Sequence, residues 1–170
     1  IINGTYTNEG LVTGNKVDVI EYVYSQEVLE AKLAEMEASG GKYGFYGDVT
    51  LEEDLSFGIT DWDHNIRTEL DIYGTLTVPS GVTLTIDGYC FVYGGSLIVE
   101  EGGTLVLENT AFLSRNSGDL KVYGELVLPE HNLINNYPGN WGTMEGVPVW
   151  KQRVTTFITT AAGLRSAAKN

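Results

Sequence analysis

The pattern of apolar and polar positions changes near residue 42. Residues 25–41 carry apolar side chains at helical spacing, whereas the chain that follows alternates apolar and polar residues in short runs. Ser25 is a suitable N-cap, Glu27 and Glu30 favour the positive end of the helix dipole, and Gly40-Gly41 ends the pattern. The sequence therefore predicts one amphipathic helix, with an apolar stripe formed by Val28, Leu29, Leu33 and Met36.

Two of the later runs match position by position. Residues 76–86 and 97–107 place branched apolar residues around a central glycine, and they lie 21 residues apart (97 − 76). A second signature, in which tyrosine is followed by glycine, occurs at Tyr73, Tyr93 and Tyr123. Short strands at this period, with glycine at the corners, predict a chain wound into coils that add strands to parallel sheets. The residues predicted to face inward are Leu76, Val78, Val82, Leu84, Ile86, Leu97, Val99, Leu105, Leu107, Leu120, Val122, Leu126 and Leu128.

An antiparallel sandwich is the alternative architecture, because it also uses short alternating strands. A sandwich gives no reason for turn residues and core residues to share one period. The wound chain, a solenoid, is therefore the preferred prediction.

The glycine-punctuated runs, together with the preceding helix and residues 47–51, resemble the right-handed parallel β-helix (pectate-lyase-like) repeats of large bacterial cell-surface proteins. The resemblance covers roughly residues 20–130. It implies an all-β fold, a right-handed parallel β-helix of about four to five coils with one N-terminal capping α-helix. The implied segments are a strand lead-in (1–24), the capping helix (25–41), the coils (42–130), and a closing segment that starts the next repeat (131–170).

The last part of the chain repeats the first. Ile2-Asn3 is echoed by Ile134-Asn135, 132 residues later (134 − 2). Residues 22–25 correspond to residues 157–160, 135 residues later (157 − 22). The echo predicts one unit of a longer array followed by the start of the next, so adjacent repeats of the same chain are predicted partners.

The charge balance narrows the classes of ligand. The chain has 23 acidic and 10 basic side chains and a formal net charge of −13, which disfavours nucleic-acid binding. An acidic surface suits Ca²⁺ or neutral sugars. The sequence contains no run of about 20 apolar residues, so membrane insertion by this segment is not predicted. Cys90 lies in an apolar run and is predicted to be a buried thiol.

Catalysis is not predicted. Polysaccharide lyases and hydrolases of the β-helix class need clustered carboxylates and a cationic residue on one sheet face. Within the runs from Leu70 to Leu128, Lys121 is the one lysine or arginine placed to lie mid-strand. We therefore expect a chain that is not an enzyme and has no cofactor, with a polysaccharide lyase or hydrolase as the second alternative.

Aromatic residues are the candidate glycan-binding site. Trp62 lies among polar residues in a predicted loop, where an exposed indole can stack on a sugar ring. Tyr73, Tyr93 and Tyr123 occupy one repeated position and are predicted to form a ladder along the solenoid. Stacking between coils is the alternative role of that ladder.

A weak Ca²⁺ site is the candidate metal site. Asp61, Asp63 and Asn65 place three oxygen ligands at alternate positions, as calcium loops do. Ile66 and Ile72 stand where a complete EF-hand has glycine and glutamate. A solvated loop between coils is the competing interpretation.

The function expected from these observations is a non-catalytic structural and adhesive module of a bacterial surface or secreted repeat protein. Strand ladders and inward stacks make a stiff rod whose length scales with repeat number. The expected location is extracellular, and the expected partners are host or plant glycans or other surface proteins. A carbohydrate-binding module that uses exposed aromatic residues is the first alternative.

Overall fold

The computed structural model describes residues 19–61, 66–108, 111–128, 134–135, 144–146 and 149–152. These residues form one helix, α1 (Gln26–Ser39), and eighteen strands numbered in chain order. In this part of the chain no helix has the length and apolar composition that crossing a membrane requires.

Sixteen of the strands form three sheets in which every pairing is parallel. Sheet A contains β1 (Val19–Tyr22), β2 (Lys42–Tyr46), β7 (Glu69–Ile72), β10 (Tyr89–Val92), β13 (Phe112–Ser114) and β16 (Ile134–Asn135). Sheet B contains β3 (Asp48–Thr50), β8 (Thr75–Val78), β11 (Ser96–Val99), β14 (Asp119–Val122) and β17 (Met144–Glu145). Sheet C contains β4 (Leu55–Phe57), β9 (Thr83–Ile86), β12 (Thr104–Leu107), β15 (Glu125–Leu128) and β18 (Val149–Gln152).

The chain visits the three sheets in rotation. Each passage through A, B and C, here called a circuit, adds one strand beside the strand of the previous circuit. The one antiparallel pair of the described residues joins β5 (Thr60–Asp61) to β6 (Ile66–Arg67), a small hairpin between two circuits. The antiparallel sandwich is therefore wrong, and the topology is compatible with the predicted parallel β-helix.

The inward columns arise from the two-residue period of the strands. In β8 to β12 every second residue is buried, because successive side chains point to opposite faces of a sheet. All thirteen residues predicted to face inward are buried. The 21-residue period is also confirmed, since Leu76 pairs with Leu97 and Leu84 with Leu105 on neighbouring strands. Cys90 is fully buried, and that burial raises the pKa of its thiol.

Helix α1 begins and ends where the sequence predicts. The Ser25 hydroxyl accepts a hydrogen bond from the Val28 backbone N–H at 3.5 Å, and Gly40 ends the helix with a φ of 57°. Leu29, Leu33 and Met36 are buried in the common core. The sequence assigns Val28 to the same stripe, but this residue is 45% exposed because it lies about 100° around the helix axis from Leu29, outside the buried stripe.

The helix occupies the circuit that has no strands in sheets B and C. It follows β1 in the chain and packs against β2 and β4. The Gln26 side-chain oxygen accepts hydrogen bonds from the backbone N–H groups of Glu52 (2.6 Å) and Glu53 (3.2 Å), before β4. A Glu37 carboxylate oxygen accepts from the Gly58 N–H at 2.7 Å, after β4. The helix therefore supplies acceptors to backbone donors on both sides of an edge strand.

Candidate functional site

The outward side of sheet A carries a surface of aromatic residues. Residues at alternate positions of each strand point away from the core, and in sheet A many of these positions hold tyrosine or phenylalanine. In β10, for example, Cys90 and Val92 are fully buried while Tyr89 and Phe91 lie on the other face, half-buried. We call this surface the aromatic face; its rings are Tyr22, Tyr46, Tyr73, Tyr89, Phe91, Tyr93 and Phe112.

Four tyrosines of this face form a ladder across successive circuits. Tyr22 pairs in register with Tyr46, and their ring centroids lie 5.5 Å apart. Tyr46 and Tyr73 are 5.0 Å apart, and Tyr73 and Tyr93 are 5.4 Å apart. These spacings are close to the separation of neighbouring strands, so the parallel register itself brings the rings into contact. Each such pair adds about 0.5–1.5 kcal/mol beyond the area that it buries.

Tyr123 does not belong to this ladder, contrary to the prediction that it shares the position of Tyr73 and Tyr93. It follows a strand of sheet B, and its backbone N–H donates to the carbonyl oxygen of Val99. Tyr73 and Tyr93 follow strands of sheet A. The tyrosine-glycine signature encodes a sharp corner after a strand, and two different corners use it. The spacing along the chain distinguishes the two corners: Tyr93 follows Tyr73 by 20 residues (93 − 73), whereas Tyr123 follows Tyr93 by 30 (123 − 93).

Sequence reasoning missed Tyr22 and Tyr46, which complete the ladder. Tyr46 did carry the tyrosine-glycine signature, because Gly47 follows it. Tyr22 is followed by valine, and only its register with Tyr46 places it in the ladder. The fold therefore brings together Tyr73 and Tyr93 of the predicted site and adds two residues to them.

The stacking determines which ring surfaces are open to a ligand. Tyr73 and Tyr93 lie with their ring planes 17° apart, so each covers part of the other's face. Tyr22 is 72% exposed at the end of the ladder, and Tyr24 stacks beside it with 69% of its surface exposed. A sugar that stacks on an aromatic face would therefore find its most open surface at Tyr22 and Tyr24.

A second group of rings continues the aromatic face along β10 and β13. Tyr89 and Phe112 have ring centroids 5.2 Å apart, and Phe91 lies 5.7 Å from Tyr93. The Arg67 guanidinium lies 4.4 Å from the centroid of the Tyr89 ring, a cation–π geometry. Through the Phe91–Tyr93 contact, this group joins the ladder to the rings of β10 and β13.

A charged cluster lies beside the ladder. The Lys42 ammonium contacts an Asp71 carboxylate oxygen at 2.6 Å and a Glu69 oxygen at 3.0 Å. Tyr73 donates a hydrogen bond from its hydroxyl to the same Asp71 oxygen at 3.2 Å. Asp71 is fully buried although it lies on the outward side of the sheet, and its other carboxylate oxygen has no hydrogen-bond partner among the described residues.

Burial determines how the two ends of this ion pair titrate. Burial raises the pKa of Asp71, and the hydrogen bond and positive charge of Lys42 offset that effect only in part. Burial alone would lower the pKa of Lys42, but its bonds to Asp71 and Glu69 outweigh burial and raise that pKa. Lys42 is thus held charged, while ionised Asp71 depends on it for compensation.

Replacing Lys42 by methionine is expected to destabilise the protein by about 2 kcal/mol at neutral pH, because Asp71 would then carry a buried charge without a counterion. A group whose folded-state pKa is raised stabilises the fold below its ordinary pKa and loses that contribution as pH rises through the raised value. The deficit of Lys42→Met should therefore shrink as the pH falls towards about 4. Urea unfolding of the wild-type protein and of Lys42→Met, from neutral pH down to about pH 4, measures this deficit in the free energy of unfolding.

The matched control removes the buried Asp71 charge that has lost its counterion. In the Lys42→Met background, Asp71→Asn should restore most of the lost stability at neutral pH, since an amide carries no charge. A Lys42→Met deficit that is equal at every pH, or that Asp71→Asn leaves unchanged, would show that lost packing rather than the buried carboxylate is responsible.

The other predicted site residues lie where the structure does not describe their side chains. Trp62, Asp63 and Asn65 are outside the described residues, and Asp61 is described only as part of β5. Among the described residues, no three His, Cys, Asp or Glu side chains are arranged to hold a metal ion. The glycan role of Trp62 and the weak Ca²⁺ site remain predictions.

A cleft lies beside the start of α1. Its volume is about 500 Å³, and four carboxylates line it. Those negative charges oppose the anion preference of a helix N-terminus, so the cleft does not suit phosphate or sulfate. Its lining residues are Ser25, Gln26, Glu27, Glu30, Glu52 and Glu53.

Among the described residues, the aromatic face together with the charged cluster is thus the candidate functional site. The chain matches no protein-family model, no curated protein and no solved structure.

Proposed function

We propose that the chain is a non-catalytic structural and adhesive module of a bacterial cell-surface or secreted repeat protein. The finer architecture that we propose is a right-handed parallel β-helix of about five coils in which α1 caps the N-terminal end. Its role is to act as a stiff spacer outside the cell and to contact glycans or other surface proteins through the aromatic face.

One observation supports the spacer role above all others. The inward columns of sheets B and C consist mostly of branched apolar residues that stack on similar residues from circuit to circuit. In one column of sheet B, for example, Val49, Leu76, Leu97 and Leu120 are all fully buried. Such a core gains stability with each circuit and resists bending, which is what a rod requires.

A deletion of one circuit tests this architecture. Removal of residues 76–96 joins Thr75 to Leu97. Leu97 then takes the place of Leu76, with which it pairs in register in the intact protein. We expect this variant to fold cooperatively and to be shorter by about 4.8 Å, the spacing of adjacent strands. Far-UV circular dichroism, urea unfolding and small-angle scattering measure these properties.

The matched control removes residues 76–85, which is about half a circuit. It joins positions that belong to different sheets, so we expect loss of cooperative unfolding. Equal tolerance of both deletions, or failure of the full-circuit deletion to fold, would contradict the solenoid.

Carbohydrate binding is the second candidate function, and the open rings at the end of the ladder favour it. Tyr22 and Tyr24 expose aromatic surface of the kind that stacks on pyranose rings. We expect a glycan array to give saturable binding to one class of sugar, and Tyr22→Ala to weaken it roughly tenfold, the effect of about 1.4 kcal/mol. Trp62→Ala tests the predicted loop site in the same way.

Tyr123→Ala is the matched control, because this tyrosine is 42% exposed but lies outside the ladder. It should leave glycan binding unchanged. The array should be run with and without Ca²⁺ to test the predicted site at Asp61, Asp63 and Asn65. An array that shows no binding in either buffer would remove glycan contact from the proposal and leave the spacer role.

A further inference from the structure

The N-terminal end of the stack exposes an unusual amount of apolar surface. Ile20 is 46% exposed, Tyr22 72% and Tyr24 69%. All three lie in or directly after β1, which is the edge strand of sheet A. Among the described residues, no strand pairs with the outer edge of β1, so this edge is the place where a further strand would add to sheet A.

Helix α1 adds a second apolar surface at the same end. Leu29, Leu33 and Met36 face the core, yet the opposite side is not the charged surface that a solvent-facing helix normally has. Its exposed positions are Val28, Ala31, Ala34 and Ala38, together with Glu27 and Glu35. Small side chains allow another backbone to approach closely, so this side of α1 suits packing against further protein.

The opposite end of the stack presents the complementary features. Among the described residues, β16, β17 and β18 are the last strands of sheets A, B and C, and no further strand pairs with their outer edges. A next strand in sheet A would pair with β16, as β1 pairs with β2. The two remaining edges, of β17 and β18, would then need a cover of the kind that α1 gives to β4.

The sequence echo supplies the order in which these features meet. Residues 22–25, which end β1 and provide the N-cap of α1, correspond to residues 157–160. In the echo, the counterpart of β1 therefore comes directly after β18 along the chain. A following unit would thus begin at the point where the next strand of sheet A is needed.

We infer that the exposed side of β1 and α1 is a docking surface for the β16–β18 end of a preceding copy of the same repeat. In this arrangement β1 extends sheet A of the preceding copy, and α1 lies between two sets of strands with apolar contacts on both sides. The helix is then a joint inside a continuous rod, and Tyr22 and Tyr24 continue the stacking across it. In an array, the glycan surface at Tyr22 and Tyr24 would therefore be open only on the first copy. The inference rests on the proposed function only in treating the chain as one unit of an array.

Self-association of the chain tests this surface. The contact joins one end of a copy to the other end of the next, so it is open-ended and should build linear chains rather than closed dimers. We expect the weight-average mass in sedimentation equilibrium to rise with concentration without a plateau at the dimer. Covalently linked repeats meet at effective concentrations in the millimolar range, so this is the range to examine.

Two variants place a charge in the proposed joint without disturbing the core. Tyr24→Lys alters an exposed ring, and Ala34→Lys alters the outer side of α1 with a residue whose helix propensity is close to that of alanine. Each should weaken the association constant at least roughly tenfold, because the joint would bury an unpaired ammonium. Ser80→Lys adds a lysine at an exposed turn between β8 and β9, away from both ends of the stack, and should leave the association constant unchanged.

The outcomes separate this inference from the proposed function. A protein that stays monomeric at millimolar concentration, or a closed dimer, would overturn the docking surface. Association that Ser80→Lys weakens as much as Ala34→Lys would overturn it as well. The circuit deletions and the glycan array use the monomer, so their results do not depend on whether copies associate.

Discussion

Replacing Gly95 by alanine is expected to destabilise the fold by about 3 kcal/mol or more. A Cβ atom at this position would lie 2.1 Å from the carbonyl oxygen of Gly74 and 2.7 Å from the carbonyl carbon of Tyr73. Both atoms belong to the backbone of the preceding circuit, so no side chain can rotate away to make room. The corner between sheets A and B would have to open, which separates the strands that it joins.

Gly94 is the matched control for this effect. It directly precedes Gly95, and a Cβ atom there would meet nothing within 4 Å. Its φ of 69° is left-handed, so alanine should cost about 1–2 kcal/mol through backbone strain alone. Urea unfolding followed by circular dichroism compares the two. Equal losses would mean that the close approach at Gly95 does not constrain the corner.

Replacing Leu97 by alanine is expected to cost about 4 kcal/mol, within the range for fully buried leucines. Leu97 is completely buried, and its register partners on the two sides are Leu76 and Leu120. Strands hold the site in place from both directions, so the cavity has little freedom to collapse. The free energy of unfolding from urea titration measures the loss.

Ile98→Ala is the control, since the neighbouring residue points to the outer side of the same strand and is partly exposed. It should cost less than about 1.5 kcal/mol, because solvent already reaches part of the side chain. Similar costs for Leu97→Ala and Ile98→Ala would contradict the assignment of inward and outward faces.

The same difference between the buried inner side and the partly exposed outer side of a strand applies to sheet A, which carries the aromatic face. The inner columns hold the circuits together, so the outer side of sheet A can carry tyrosines and an ion pair that the core would not tolerate. Its aromatic rings stack on one another and thereby reinforce the same strand order that the core sets. A surface built in this way is rigid, since the backbone register fixes the spacing of its rings.

Local patterns predicted much of the fold. Alternation of apolar and polar residues identified thirteen inward residues, because the strand period alone determines which side chains share a face. Ser25 and Gly40 marked the ends of α1, because capping depends on residues within one turn. The 21-residue spacing of Leu76 and Leu97 gave the register of β8 with β11, since that spacing is the length of the circuit between them.

The candidate site was predicted less completely. Tyr73 and Tyr93 were recognised from their shared signature, but Tyr22 lacks the following glycine and Tyr123 has it at a different corner. The position of a tyrosine around the stack depends on the summed length of all preceding strands and turns. A hairpin between Thr60 and Arg67 lengthens one circuit, and a sequence signature of a few residues does not record such changes.

The sequence by itself determined which residues face inward, where the helix begins and ends, and the period of the strands. Each of these properties depends on neighbours along the chain. Only the tertiary structure decided that Lys42 meets Asp71, that Gly95 touches the preceding circuit while Gly94 does not, and that Val28 faces away from the core. These properties depend on which residues the circuits bring side by side, because contacts between circuits join positions that are distant along the chain.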